Sequence, residues 1–180
     1  MSMKRTTAAF VLGMCTVAGL GVSSARHERR GQPQLVVTLC PLNGHLYAMS
    51  PTPMSWSEGL AWARSWGGEL ATVRTEAENE WIFGAFAGSR HDPRHLWIGL
   101  SDAEEEGVFR WSSGDPVAFS AFSPGDPSNK WGEEHFVHIW SPTDPNAGLW
   151  NDNRDRETGR FDDPIHAVLE IVPQRNRSRR

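Results

Sequence analysis

Leu96-Trp97-Ile98-Gly99-Leu100 is the stretch on which the reading of this 180-residue chain turns. It is a short apolar run bounded by turn residues, His91-Asp92-Pro93 before it and Ser101-Asp102 after it, and it reads as a β-strand. Upstream the periodicity is different. Ser55-Trp56-Ser57-Glu58 has the form of a capping box, in which the serine oxygen accepts from an early amide and the glutamate reaches back. Trp56, Leu60 and Ala63 follow at helical spacing until Gly67-Gly68 stops the helix. Thr75 and Glu78 open a second helix in the same way, running through Trp81, Ile82 and Phe86 to about Gly88. Before both helices, Leu35 to Leu39 and His45 to Ser50 are strand-like.

Downstream the character is that of strands and loops. Val108 to Trp111, His135 to Trp140 and His166 to Val172 read as strands, separated by loops rich in Gly, Pro, Asp and Asn over 112–134 and 141–164. Loops above about 12–15 residues inside a compact domain are usually functional. Two early helices, late strands and long acidic loops predict an α+β domain whose loops carry its function.

The ends are of another kind. Lys4 and Arg5 precede an uncharged, mostly apolar run from Ala8 to Val22, and Ser23-Ser24-Ala25 supplies small residues for cleavage. Residues 1–25 therefore read as a secretory signal, since a membrane span needs about 20 apolar residues. The expected division is a signal over 1–25, a linker and first strand over 26–39, the domain over 40–172 and a basic tail over 173–180. With the signal removed, the arginines crowd the two ends, and residues 31–174 hold 9 basic against 21 acidic groups. Such a body gives no reason to expect nucleic acid as a partner. It favours a hard cation bound through oxygens. Nine tryptophans are more than a core of this size needs, which points to some at a binding surface. Only Cys40 remains beyond the signal, so no internal disulfide is expected, and Cys40 is either an inert thiol or a link between chains in an oligomer.

The polar residues of the loops concentrate in two segments. One holds Asp126, Ser128, Asn129, Glu133 and Glu134; the other holds Asn151 and Asp152 after Leu149-Trp150. Calcium takes six to eight oxygens in irregular geometry, and two such segments meeting beside a strand supply four or five of them. Water or a vicinal diol could fill the rest, the carboxylates accepting the hydroxyl protons and the Asn amides donating to the lone pairs.

The order of short motifs resembles a C-type lectin-like domain over about residues 40–172. Cys40-Pro41 opens it, and Gly67-Gly68-Glu69-Leu70-Ala71-Thr72-Val73 ends the first helix. Trp97-Ile98-Gly99-Leu100, Phe109-Arg110-Trp111 with Gly114, and Pro124-Gly125-Asp126-Pro127-Ser128-Asn129 come next. Leu149-Trp150-Asn151-Asp152 and Val168-Leu169-Glu170 close it. The resemblance implies two helices packed on small antiparallel sheets, with a long loop region carrying the site. It implies calcium (Ca2+) held by Asp126, Glu134, Asn151 and Asp152, and a weaker auxiliary site at Asp102, Glu106 and Asn129, also near Glu134. A carbohydrate or glycoconjugate would then meet Asp126, Ser128, Asn129, Trp131, Glu134, Asn151 and Asp152. Two departures bear on this. Asp126-Pro127-Ser128 stands where sugar-binding members carry Glu-Pro-Asn, so Ser128 removes a carboxamide. His135 stands where the auxiliary site has an acid. The disulfide positions implied by the resemblance fall on Ala63, Phe136, Asp155 and Leu169.

Enzymatic readings find no support in the motifs: no serine has a nucleophile-elbow context and no carboxylate pair is singled out. His135 and His138, three apart on a strand, point to opposite faces and read as incidental, as do His91 and His95. The expectation is a secreted, calcium-dependent carbohydrate-binding module. The alternative is a calcium-independent extracellular domain on the same fold that binds a protein partner. Trp131 either stacks on a ligand or caps the core.

Overall fold

The computed structural model describes residues 34–156 and 164–173. The expected signal segment, residues 26–33 of the linker and residues 174–180 of the tail lie outside them. The chain runs β1 (Thr38–Leu39), β2 (Leu46–Met49), α1 (Trp56–Ser65), β3 (Glu69–Leu70) and α2 (Glu76–Phe86). A small hairpin follows, β4 (Gly88–Ser89) with β5 (Asp92–Pro93). Then come β6 (His95–Ser101), β7 (Arg110–Trp111), β8 (Phe136–Ile139), β9 (Trp150–Asn153) and β10 (Ile165–Ile171).

One sheet, ordered β1-β2-β10-β6-β8-β9, organises the fold, with β3 added on β10 and β7 on β6. β10 is its seam. Its first residues pair parallel with β6 (Ile165 with His95, Ala167 with Trp97), and its later ones pair antiparallel with β2 (Val168 with Met49, Ile171 with Leu46). Both strands of that seam are almost wholly buried and mostly apolar, the buried His95, His166 and Glu170 excepted. Gly99 is needed inside β6 because a Cβ there would meet Ser112 Oγ at 2.7 Å and the Leu70 carbonyl oxygen at 2.8 Å.

The helices cover the sheet from the positions their caps dictate. Ser55 Oγ accepts from Glu58 N while Ser55 N donates to Glu58 Oε2 at 3.0 Å, so the first capping box is complete and contributes about 1 kcal/mol. The second is only half made. Thr75 Oγ1 accepts from Glu78 N, but the Glu78 carboxylate turns away and accepts from Arg74 N at 2.7 Å and Asn43 Nδ2 at 2.9 Å.

Two apolar clusters result. One holds α2, the centre of β6, Trp111 and Trp150; the other packs α1 against β10 and Trp97. Most of the tryptophans serve them. Trp56, Trp97 and Trp150 are buried with their indole N–H groups donating to Ile98 O, Met54 O and Asn79 Oδ1. Trp131, 71% exposed, is the most exposed of the tryptophans.

Cys40 is fully buried in the first cluster, and burial pushes its thiol pKa up. An interchain link through it is thereby corrected: the sulfur cannot reach a partner without opening the core. Ala63 and Leu169 are fully buried in the second cluster, and Phe136 packs on Trp56 with ring centroids 4.7 Å apart. Asp155 is exposed and accepts from Ser57 N at 2.9 Å. Among the described residues no helix is long and apolar enough to cross a membrane.

Candidate functional site

The loop of residues 123–134 folds over the end of β9. Its approach is fixed by backbone contacts, Ser123 N donating to Trp150 O and Phe122 bridging to Trp150. The Asp126–Pro127 peptide is cis. Asn129 (φ 38°) and Trp131 (φ 63°) both adopt left-handed backbone, uncommon for residues with a Cβ, the first preceding and the second within a short 3₁₀ turn at Lys130–Gly132. Such strain tends to persist where surrounding structure over-determines it. Here the over-determination is visible. Asp152 Oδ1 accepts from Ser128 N at 2.8 Å and Oδ2 from Asn129 N at 2.6 Å. Glu134 Oε2 accepts from Lys130 N at 2.9 Å and Ser128 Oγ at 3.2 Å, and Glu134 N donates to Asn129 Oδ1 at 3.3 Å.

The structure thus gathers Ser128, Asn129, Glu134 and Asp152 into one cluster. Ser128 links the two acids, its amide on Asp152 and its hydroxyl on Glu134. The other two residues named from the sequence lie beside it with different partners. The Asp126 carboxylate accepts from Ser123 Oγ. Asn151 alternates to the other side of β9, where its Nδ2 lies 3.2 Å from His138 Nε2 and donates to the Asp152 carbonyl at 2.5 Å. Trp131 stands outside the core, with Lys130 Nζ 4.3 Å and Arg154 Cζ 4.7 Å from its ring centroid. It caps nothing.

Electrostatically the cluster is short of positive charge. Asp152 is fully buried and Glu134 nearly so, yet among the described residues no basic side chain forms an ion pair with Asp126, Glu134 or Asp152. Arg154 pairs instead with Glu133 at 2.9 Å. Burial raises the Asp126 pKa, the Ser123 hydrogen bond works against that, and the negative charges of Asp152 and Asp144 add to the rise. Burying carboxylates against backbone amides alone is costly, and a bound cation relieves it. All donors are hard oxygens, which fits calcium in kind.

His138 was read as incidental, yet it abuts the site. It is enclosed by His95, Trp97 and Trp140, and desolvation holds its pKa well below the ordinary value, so it is neutral. Its Nδ1 lies 3.3 Å from Ile139 O, which assigns the proton to Nδ1 and leaves Nε2 to accept from Asn151. The signal in sequence was its pairing partner: on antiparallel strands, His138 lies directly opposite Asn151.

A second polar group lies across the sheet end. Among the described residues, Asp102, Glu106 and His135 form the one set of three His, Cys or acidic side chains whose ligand atoms all lie within 4.8 Å of one another. His135 Nδ1 is 3.3 Å from Asp102 Oδ1 and 3.4 Å from Glu106 Oε2. Asp102 and Glu106 were expected together and lie together; Asn129 Oδ1 accepts from Glu134 N. His135 was not expected to take part.

This fold, with its loop cluster off β9, is that of a lectin-like domain. The chain belongs to the family described as the C-type lectin domain, whose profile matches residues 52–161. It is 33% identical over 114 residues to the human (Homo sapiens) C-type mannose receptor 2, covering 63% of this chain and 7% of that receptor, so it spans a small fraction of that relative. Among solved structures it is similar to the C-type lectin CEL-I from Cucumaria echinata, with a TM-score of 0.61 and 24% identity over 74% of this chain and 97% of that one. It is also similar to a calcium-independent type II antifreeze protein, with a TM-score of 0.58 and 20% identity over 76% of this chain and 95% of that one. At these identities the solved structures speak for the fold.

Proposed function

We propose that this chain is a secreted carbohydrate-binding module that engages sugar hydroxyls through calcium held at the 126–134 loop and β9. The observation that carries the reading is the pair of buried acids, Glu134 and Asp152, bound to one loop and lacking any basic partner among the described residues. Glu134 and Asp152 would hold the ion, with the carboxamide oxygen of Asn129 beside them; Asn151, bonded to His138 on the other face of β9, joins only by turning over. Asp126 joins only by releasing Ser123. The ion supplies a Lewis-acidic centre for two adjacent hydroxyls. The chain's own groups do the rest: carboxylate oxygens accept hydroxyl protons, and exposed Trp131 offers an apolar face at the rim. No covalent step is involved, and affinity for one sugar is expected to be weak, so that several copies would act together.

One observation favours the second reading, a calcium-independent domain that binds a protein partner. Both Asp152 oxygens already accept backbone N–H groups, so the loop is closed by its own contacts. Glycan-array binding with calcium and then with chelator separates the two. Binding that requires calcium, and that Asp152→Asn abolishes while the variant stays folded, supports the lectin. Absence of calcium uptake by the folded protein would leave the protein-interaction reading.

A further inference from the structure

We propose that Asp102, Glu106 and His135 form a binding site for a zinc-class dication, and that His135 selects against calcium there. The three ligand atoms come from two segments locked together through backbone. Asp102 N donates to His135 O at 3.2 Å, and His135 N donates to Asn153 O at 3.1 Å. The Asp102 carboxylate is aimed as well: its Oδ2 accepts from Gly107 N at 2.8 Å, leaving Oδ1 turned to the imidazole. This arrangement of an outer hydrogen bond fixing a ligating carboxylate is common around metals.

The spacings fit the ion. Zinc binds His N and carboxylate O at about 2.0–2.1 Å in a tetrahedron, whose corners then lie about 3.3–3.4 Å apart. The observed separations from His135 Nδ1 are 3.3 and 3.4 Å. The donor types decide between metals. Calcium is served by oxygens alone, whereas an imidazole nitrogen suits zinc, cobalt and nickel. Charge agrees, since two carboxylates and a neutral imidazole balance a dication. The neighbouring cation is otherwise engaged: Arg110 pairs with Glu105 at 3.0 Å. Burial is graded across the three side chains, 2% exposed for Asp102, 31% for His135 and 54% for Glu106, so the fourth corner of the tetrahedron faces solvent and is open to water or an outside ligand. This inference does not rest on the calcium reading of the 126–134 loop, with which it shares no ligand; it replaces the auxiliary calcium site expected at Asp102 and Glu106.

The test uses the full chain, stripped with chelator and titrated with Co2+. The expected result is one equivalent bound, with the intense visible absorption of four-coordinate cobalt. Stoichiometric Zn2+ should displace it, and excess Ca2+ should not. His135→Ala should weaken Zn2+ binding by at least about tenfold, and His135→Asp, which restores an all-oxygen set, should reverse the preference toward Ca2+. Asp152→Asn should take up Zn2+ as the parent does, which separates this site from the loop cluster. Folded protein that takes up no Co2+, or a His135→Ala variant with unchanged Zn2+ affinity, would overturn the proposal and leave His135 as a plain hydrogen-bond partner of the two acids.

Discussion

Two buried acidic sites in this domain differ in what the fold sets against their charge. Glu170, on β10, is met from inside the protein: Arg74 Nη1 donates to Oε1 at 2.8 Å, the Tyr47 hydroxyl donates at 3.0 Å, His45 Nδ1 lies at 2.5 Å, and Thr72 N donates to Oε2 at 2.8 Å. Burial works against the Arg74 charge, but Glu170 and Asp115 outweigh it and raise its pKa; burial and Glu170 together raise that of Tyr47. Asp152 and Glu134 receive amides and a hydroxyl and, among the described residues, no such guanidinium. One buried acid is met by a cation of the fold; under the proposed function the other pair would take its counter-charge from solution.

The largest expected effect breaks the first of these sites. Arg74→Met leaves Glu170 buried without its guanidinium and should cost roughly 3 kcal/mol, at the low end of the about 3–5 kcal/mol typical of severed buried pairs because Arg74 is part-exposed. Urea denaturation measures it, and a loss within error would show that His45 and Tyr47 suffice. Next is the loop cluster. Calcium at a hundredfold excess over its Kd should stabilise the domain by about 2.7 kcal/mol, seen as a rise of several degrees in Tm that chelator removes. Asp152→Asn should erase that rise while Arg74→Met retains it, which is the sharpest statement of the contrast.

Smaller still is a pH effect. His138 and His166 are held neutral by burial, their pKa values lowered. The unfolded chain takes up protons below about pH 6.5 that the folded chain does not, so stability is greatest above that pH and falls as acid is added. Asp126, with its pKa raised, acts the other way below that range and softens the loss. Equilibrium unfolding between neutral pH and pH 5 reads the slope, and a flat profile would mean that neither imidazole is desolvated in solution. The smallest effect on stability is that of Trp131→Ala, within about 0.5 kcal/mol because the ring is exposed. The same change should weaken glycan binding measurably if the ring forms the rim of the site.

Much of the fold was legible because its signals are local. The capped start of α1 and the apolar runs of β6 and β10 each decide their own structure from neighbouring residues, and the ordered motifs did the rest. The candidate site was legible only in composition. Nothing in Asp126-Pro127-Ser128 says that Ser128 would tie Asp152 to Glu134, since that depends on a loop crossing to β9. His135 was read as weakening the auxiliary site for being unlike the acid expected there, and only the strand register shows that it meets Asp102. Glu78 shows the converse: a textual capping box whose glutamate found better partners in Arg74 N and Asn43.

The fully buried Cys40, and the close-packed Ala63 and Leu169 beside β10, have one more consequence. Among the described residues no disulfide closes the core, so thiol reductants should leave its melting curve where it was.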